Sequence, residues 1–229
     1  SEYQWDDLPD MDRIRKVLAR TGQKALDAGL RLSFHPGPFN CLTSSNPVAV
    51  DNCIVDLSMH GDLMDMLQQP NNHWAKINIH IGGAYGDRPS AIDRWCTNFE
   101  RLPDNVRSRL TVENDDRKNL YSTKMLYDTI VKRLNVPIVF DSHHFECGPQ
   151  DSSYNEAIDM AVDSWPTGIR PMCHHSNSKK LYEDASVNTF AAHSNFYYKP
   201  FNNNGHSVDV ALEAKAKELA LFKYVQDFC

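Results

Sequence analysis

Six short runs of apolar or β-branched residues in this chain each end in a histidine, an aspartate or a glutamate. The runs are RLSFH, KINIH, RLTVE, VPIVFD, IRPMCH and VDVALE, which end at His35, His80, Glu113, Asp141, His174 and Glu213. Runs of this kind are typical of buried strands. In a parallel α/β barrel the carboxyl ends of the strands meet on one face, where the functional side chains collect. The pattern therefore predicts a parallel α/β fold with one polar site at the strand ends.

The stretches between these runs have helical spacing and helical ends. Asp10 precedes a helix that we expect to reach about Leu30, with Gly29 near its end, and Asn46-Pro47 opens a second. Pro89 stands where a first-turn proline belongs in a third helix. Further helices are predicted near 121–134, 155–164 and 214–227, with an ordered loop at 195–206. Strands that alternate with helices require right-handed crossovers and a parallel sheet, so we predict a TIM-type (β/α) barrel.

The number of units is smaller than a closed barrel requires. Six strand-helix units are recognisable from 31 to 228, whereas this class of barrel has eight. Residues 1–10 contain no such unit. We expect a single barrel domain over 1–229 in which the first two strand-helix units are missing through truncation or processing.

The composition of the chain indicates the cellular compartment that we expect for the protein. The six cysteines form no C-x-x-C pair and have no regular spacing, which favours free thiols in a reducing cytoplasm. No apolar stretch approaches the roughly 18 residues of a membrane span, and no secretory leader is recognisable. We expect a monomer that is cytoplasmic or associated with the nucleoid, not secreted and not membrane-bound. The net charge of -6 would disfavour a nucleic-acid partner, but three bound divalent ions would balance it.

Imidazoles and carboxylates at neighbouring strand ends suggest metal chemistry. This mixture of ligands suits Zn, Mn or Fe, and carboxylates can bridge two ions. Two ions a few ångströms apart can hold a hydroxide nucleophile and stabilise both the attacking and the leaving oxygen in displacement at phosphorus. The six strand ends therefore favour a multinuclear centre that hydrolyses a phosphodiester.

Each residue also has a purely structural explanation when it is taken alone. His35 could be a hydrogen-bonded loop residue, His80 a core histidine, Glu113 a turn-capping carboxylate and Glu213 the start of an exposed helix. The spacing of Asp141 and His144 suits a metal but is common by chance. His175 could be the ligand in place of His174. Coincidence of all six is far less probable than any one of these explanations.

Several longer strings around these strand ends are specific enough to compare with a known family. They are LSFHPG, INIHIGGAYGD, RLTVENDD, VPIVFDSHH, the H-x-S of His174 to Ser176, AHS at 192–194 and LEAKAKE. Together they resemble the ultraviolet damage endonucleases, metal-dependent barrel enzymes related to endonuclease IV and to the xylose-isomerase-like group. They occur in the family's order from roughly Arg31 to Leu221. The resemblance implies a barrel with a three-metal, usually manganese, centre. It also implies an enzyme that nicks double-stranded, damaged DNA immediately 5′ to a lesion and leaves a 3′-hydroxyl and a 5′-phosphate.

The resemblance also implies a ligand set for each ion. His35, His80 and Glu113 would hold one ion. Glu113, Asp141, His174 and Glu213 would hold a second, with Glu113 as the bridge. His144 and His193 would hold the third. We therefore predict Glu113, Asp141 and Glu213 as the catalytic carboxylates and two or three divalent ions, Mn or alternatively Zn, as cofactors.

Contacts with DNA are predicted from the same resemblance, and two departures affect them. The candidate DNA-binding residues, some of which could instead support the metal site, are Pro38, Phe39, Tyr85, Asp87, Asn114 and Lys215. The family usually has Gln-Tyr where this chain has Pro38-Phe39, so Phe39 could still act as an apolar wedge while Pro38 offers no side-chain hydrogen bond. The family commonly has a lysine where this chain has Met172, and we expect the third ion to bind more weakly for that reason.

Two other functions fit the pattern less well. A related nuclease that acts at abasic sites or modified bases would be compatible with Pro38-Phe39. A sugar isomerase or epimerase would also place His, Glu and Asp around two ions, but it would not need the further pair His144 and His193. We expect a metal-dependent DNA repair endonuclease.

Overall fold

The computed structural model describes residues 4–229. The first three residues of the predicted domain, 1–229, lie outside this range. The described chain divides into two compact units, one that ends at Thr111 and one that runs from Val112 to Cys229. The division falls in the middle of a strand. The single barrel domain stays a prediction.

The first unit consists of helices before and after one short strand. Its elements are α1 (Met11–Asp27), α2 (Pro47–Met66), β1 (Ile77–His80), α3 (Arg88–Phe99), α4 (Asp104–Arg107) and the first half of β2 (Leu110–Glu113), with 3₁₀ turns at Trp5–Asp7 and His73–Ala75. Ile77 N donates to Arg109 O at 2.9 Å, which joins β1 to the start of β2. Trp95 of α3 is fully buried and stacks on Phe99, so an aromatic core supports this end of the unit.

The run predicted as the first strand, 31–35, is reduced to one bridge. Phe34 pairs in parallel with Ile77, and the backbone bonds are Phe34 N to Lys76 O and Asn78 N to Phe34 O, both 2.9 Å. Pro36 and Pro38 follow, and proline has no N–H with which to continue a ladder. Five of the six predicted strands are therefore present in the described residues, and the bridge at Phe34 takes the place of the sixth.

The predicted helix ends agree with the structure in most details. Asn46 caps α2 by accepting a hydrogen bond from Val48 N at 3.0 Å, and Pro89 lies in the first turn of α3. Asp10 occupies the cap position of α1, but its side chain makes no capping bond. Gly29 has a φ of 65°, which suits glycine just after a helix.

The second unit contains the rest of the parallel sheet. Its elements are the second half of β2, α5 (Thr123–Leu126), a π-helical turn (Tyr127–Val131), α6 (Lys132–Leu134), β3 (Ile138–Asp141), α7 (Ser142–Cys147), α8 (Tyr154–Asp163), β4 (Met172–His175), α9 (Lys179–Tyr182), β5 (Asp209–Leu212) and α10 (Glu218–Phe228). The strands pair in parallel in the order β2-β3-β4-β5. The predicted alternation of helices and parallel strands is confirmed.

In this unit a layer of apolar side chains lies directly before the polar side chains at the strand ends. Side chains alternate along a strand, so Val139 shares a face with Asp141, and Met172 shares a face with His174. Val139, Met172 and Trp165 form a buried cluster, against which Ile169 and Ala211 pack. The polar strand ends therefore follow directly after a packed apolar layer, which limits their movement.

None of the helices within residues 4–229 combines the length and the apolar character that crossing a bilayer requires.

Candidate metal centre

The strand ends of the second unit bring four predicted ligands together. Glu113 and Asp141 are the last residues of β2 and β3, and His174 of β4 pairs with Asp141 in the sheet register. Glu213 follows β5, and its N–H donates to His175 O at 2.9 Å. It does not begin a helix, because α10 starts at Glu218.

Glu113 is the centre of this group. Its side chain is completely buried, with Oε1 3.1 Å from His144 Nδ1 and Oε2 3.3 Å from His174 Nδ1. His174 Nδ1 also lies 3.2 Å from Glu213 Oε1. Ligands that bind one ion at about 2.1 Å lie roughly 3 Å apart when they are neighbours in its coordination shell. The atoms of Glu113, His174 and Glu213 thus have the spacing of ligands around a shared ion, while His144 Nδ1 is close enough to Glu113 to form an ion pair with it.

Asp141 offers an open oxygen to this centre. It is fully buried, and its Oδ1 accepts the His144 N–H at 2.7 Å, which caps α7. Its Oδ2 is buried and accepts no hydrogen bond from the residues that the structure describes. Ligand atoms of Glu113, Asp141 and His144 all lie within 4.8 Å of one another. A buried carboxylate oxygen needs a cationic partner, so these residues fit a divalent ion.

The orientation of the histidine rings also fits metal binding. His144 Nδ1 is 3.1 Å from Asn114 O, and His193 Nδ1 is 3.3 Å from Glu213 O. A carbonyl only accepts, so Nδ1 carries a proton in both rings, and Nε2 is the nitrogen that would bind an ion. Histidine ligands to metals are commonly oriented through such a bond.

The electrostatics of His144 reflect the carboxylates around it. Burial alone would lower the pKa of His144, but the charges of Asp141 and Glu113 outweigh burial and raise the pKa to about 10. The buried carboxylates therefore hold a proton on His144 when no other cation is nearby. A bound ion would take over that role and would require the neutral ring.

His175 and His174 have different roles although they are adjacent on β4. His175 Nδ1 is 2.8 Å from Ser142 Oγ, and its Nε2 donates to Lys199 O at 3.0 Å. Its ring stacks on Tyr197, with ring centroids 5.5 Å apart. Burial lowers the pKa of His175. Both ring nitrogens are engaged, so His175 anchors the chain, and His174 is the member of the pair that faces the carboxylates.

His193 lies at the edge of this centre and contacts a histidine that the sequence did not single out. His193 Nδ1 is 3.9 Å from Glu213 Oε2, and its ring centroid is 6.2 Å from that of His144. His143, fully buried in α7, packs edge-to-face on His193 at 5.3 Å. The string DSHH carried the signal for this residue, but only one of its two histidines was considered as a ligand.

The remaining predicted ligands, His35 and His80, belong to the first unit. Their ring centroids are 5.7 Å apart, and His35 Nδ1 donates to Asn78 O at 3.0 Å, so Nε2 is the nitrogen that would bind an ion. His80 ends β1 and is half-buried. His35 thus combines the predicted loop hydrogen bond with the ring orientation of a ligand.

The predicted DNA-binding residues fall into two groups. Pro38 is exposed, Phe39 is 91% exposed, Tyr85 is 56% exposed with a φ of 50°, and Lys215 is exposed. Asp87 caps α3 by accepting from Ser90 N and Ser90 Oγ, and these bonds lower the pKa of its carboxyl group. The exposed members are available to a partner, whereas the Asp87 side chain supports its own helix.

Asn114 does not face solvent. Its Nδ2 donates to Asp141 O, and its Oδ1 accepts from Asp141 N, both at 2.9 Å. Buried and bonded in this way, the amide positions Asp141. Of the two roles predicted for Asn114, support of the metal site is the one that these contacts favour.

Comparison with known proteins gives the family. A family model described as UV-endonuclease UvdE matches residues 7–229. The chain belongs to the UV-endonuclease UvdE family. A UV DNA damage endonuclease from Bacillus cereus (strain G9842) is 32% identical over 217 residues, which cover 91% of this chain and 65% of that protein. The chain thus spans a little under two thirds of the length of this UvdE relative, and the resemblance inferred from the motifs is confirmed.

Solved structures support the fold class. The crystal structure of SacUVDE matches with a TM-score of 0.81 and 28% identity, covering 94% of this chain and 71% of that one. Endonuclease IV from Thermus thermophilus matches with a TM-score of 0.62 and 13% identity, covering 96% and 81%, and this likeness shows the fold alone. The predicted α/β fold of the TIM-barrel class is confirmed for this UvdE family member.

Proposed function

We propose that this chain is a metal-dependent DNA repair endonuclease that hydrolyses the phosphodiester 5′ to ultraviolet photoproducts or other lesions and leaves a 3′-hydroxyl and a 5′-phosphate. The observation that carries the proposal is the Glu113 carboxylate, which is completely buried and has one oxygen within 3.1 Å of His144 and the other within 3.3 Å of His174. Membership of the UvdE family supports damaged DNA as the substrate class.

The residues that would hold the ions are those that surround Glu113. Glu113, Asp141, His174 and Glu213 would hold one ion, with Glu113 as a bridge to its neighbour, and His144 and His193 would hold another. His35 and His80 remain predicted ligands. We propose two or three Mn²⁺ or Zn²⁺ ions, which supply a water of low pKa and positive charge at the phosphate oxygens.

The protein's own part in the reaction is to hold the metal ligands in position and to balance the charge of the bound ions. Asn114 holds the backbone of Asp141, and carbonyls orient His144 and His193, so the ligand atoms need little rearrangement before the reaction. Burial of Glu113 and Asp141 keeps bulk water away from both carboxylates, which strengthens the attraction that they would exert on bound divalent ions. The leaving 3′ oxygen takes its proton from solvent.

Exposed residues of the first unit bear on lesion preference. Phe39 is 91% exposed beside Pro38, and neither side chain can donate a hydrogen bond to a base. We propose that Phe39 acts as an apolar wedge against the base stack, so that recognition depends on how easily the damaged step unstacks. An abasic or otherwise weakly stacked site is the alternative substrate that this surface favours.

The first prediction tests the metal centre. Glu113→Gln should reduce nicking of an ultraviolet-irradiated, end-labelled duplex in Mn²⁺ by at least about 10³-fold, since it removes the bridging charge with almost no change of shape. Binding to the same duplex should change little. Cleavage products on a sequencing gel and binding by fluorescence anisotropy give the two measurements.

The matched control is Glu218→Gln, which makes the same substitution at an exposed residue of the same unit. It should nick like the unaltered protein. Normal cleavage by Glu113→Gln would contradict the proposed bridge. Cleavage of abasic duplex but not of irradiated duplex would support the alternative substrate, and turnover of a ketose without any nicking would contradict the nuclease.

A further inference from the structure

A pair of tyrosines lies on the surface of the second unit. The rings of Tyr182 and Tyr198 are stacked, with centroids 5.1 Å apart and an interplanar angle of 3°. Tyr198 is 40% exposed. Lys199 Nζ lies 5.6 Å from the centroid of the Tyr182 ring. Lys179 is three residues before Tyr182 on α9 and therefore on the same side of that helix.

The loop that carries Tyr198 and Lys199 is held in a single conformation by buried polar groups. Asn177, 2% exposed, accepts from Tyr198 N at 2.7 Å and from Lys199 N at 3.3 Å. The Glu183 carboxylate accepts from Tyr198 OH at 2.9 Å and from Asn195 N at 2.7 Å. Backbone and side chain are both fixed, so the aromatic surface is preorganised.

This loop is continuous with the candidate metal centre. Ser178 and His193 form an antiparallel bridge, and Lys179 N donates to Ala192 O at 2.7 Å. On the other side of the loop, Lys215 N donates to Ser194 O at 3.0 Å. The stretch that presents His193 to the centre is therefore the same stretch that is bonded to α9 and leads into Tyr198.

We propose that Tyr182, Tyr198, Lys179 and Lys199 form a strand-binding surface for one strand of the DNA whose phosphodiester enters the metal centre. The exposed Lys199 and the half-buried Lys179, which lie beside stacked aromatic rings, suit a nucleic-acid strand, because ammonium groups bind phosphates and a ring face stacks an unpaired base. A neutral sugar has no phosphate for the ammonium groups to bind. The inference rests on the proposed function and adds to it a contact for a base that leaves the duplex stack near the lesion.

Two variants test the strand-binding surface by fluorescence anisotropy. Lys199→Ala should lower by about one the slope of log affinity against log salt for an undamaged labelled duplex. Tyr198→Ala should weaken binding to labelled oligothymidylate about tenfold, while Tyr198→Phe, which keeps the ring, should stay within about twofold.

Lys132→Ala is the matched control for the lysine. Lys132 Nζ also lies over a tyrosine ring, 5.7 Å from the centroid of Tyr127, but its charge is paired with Asp128 at 2.6 Å. Its removal should leave the salt slope unchanged. All variants should keep the Mn²⁺ content of the unaltered protein. If Tyr198→Ala does not fold, Tyr198→Leu, which is bulky but not aromatic, carries the stacking test.

The outcomes separate the two proposals. The strand-binding surface would be overturned if Lys199→Ala left the salt slope unchanged and the Tyr198 variants bound oligothymidylate as the unaltered protein does. Normal nicking by the unaltered protein would in that case leave the proposed function intact. Absence of DNA binding and of nicking in the unaltered protein would overturn both.

Discussion

At the scale of single residues, Asn114 shows how a side chain outside the ligand set controls the site. Its amide bonds to both the N–H and the carbonyl of Asp141, so it fixes the peptide groups on either side of a candidate ligand. Asn114 is itself buried, and its own carbonyl accepts from His144 Nδ1. One asparagine therefore sets the position of an aspartate and the orientation of a histidine.

Asn114→Ala should weaken Mn²⁺ binding by about 10–100-fold, the usual effect of removing a group that orients a metal ligand. The side-chain bonds to Asp141 would be lost while all proposed ligands remain. Isothermal titration with Mn²⁺ measures the effect. Asn188→Ala, an exposed asparagine of the same unit, is the control. Equal affinities in the two variants would show that Asn114 does not position Asp141.

The residue chemistry at the strand ends could be predicted from sequence, but some choices between neighbours could not. Histidines and carboxylates after apolar runs pointed to Glu113, Asp141 and His174. The choice between His174 and His175 depended on contacts with Ser142 and the carbonyl of Lys199, which are 33 and 24 residues away in sequence. The sequence predicts an ordered loop around Tyr198, but the stacking of Tyr198 on Tyr182 depends on how two separate segments fold together.

At the scale of elements, the turn that precedes β1 contains a half-buried titratable group. His73 begins this 3₁₀ turn, and Arg31 donates to its carbonyl at 2.9 Å. Burial is the main cause that lowers the pKa of His73 to about 4, and the nearby charge of Arg31 adds to it. This turn is therefore stable with a neutral ring.

This shift predicts a dependence of stability on pH. The folded pKa of about 4 lies below the ordinary 6.5, so the unfolded chain binds the proton more readily between these values. Stability should be full above about pH 6.5 and should fall as pH decreases toward 4, by roughly 3 kcal/mol from this group. Urea unfolding at several pH values, with chelator present, should show a smaller loss in His73→Leu. Parallel losses in both proteins would contradict the assignment.

Most elements followed from local sequence, and the exceptions have physical causes. Asn46 and Pro89 marked helix starts correctly because their effects are local. The run 31–35 had strand composition, but the prolines after it prevent a longer ladder. The helix predicted at 121–134 is interrupted by the π-helical turn Tyr127–Val131, and local propensity carries no signal for such a turn.

At the scale of the whole molecule, the formal charge of -6 and the buried carboxylates point to stabilisation by cations. Glu113 and Asp141 are both 0% exposed, and histidines form ion pairs with both carboxylates. A divalent ion that binds the folded chain and not the unfolded one stabilises it by mass action.

Mn²⁺ at about 100 times its dissociation constant should therefore raise the free energy of unfolding by about 2.7 kcal/mol. For a chain of this size the melting temperature should rise by roughly 5–10 °C, as differential scanning calorimetry would measure. Glu113→Gln should lose most of the increase. An equal increase in both proteins would mean that the ion binds elsewhere.

The two carboxylate oxygens of Asp141 have separate roles. Oδ1 caps the first turn of α7, and Oδ2 belongs to the candidate metal centre. A six-residue helix is too short to persist alone, so its start depends on this carboxylate. Because the second oxygen is already aimed at the centre, an arriving ion need not wait for the chain to fold around it. Uptake should be limited by how fast the ion sheds its water, and a stopped-flow trace should show a single fast phase.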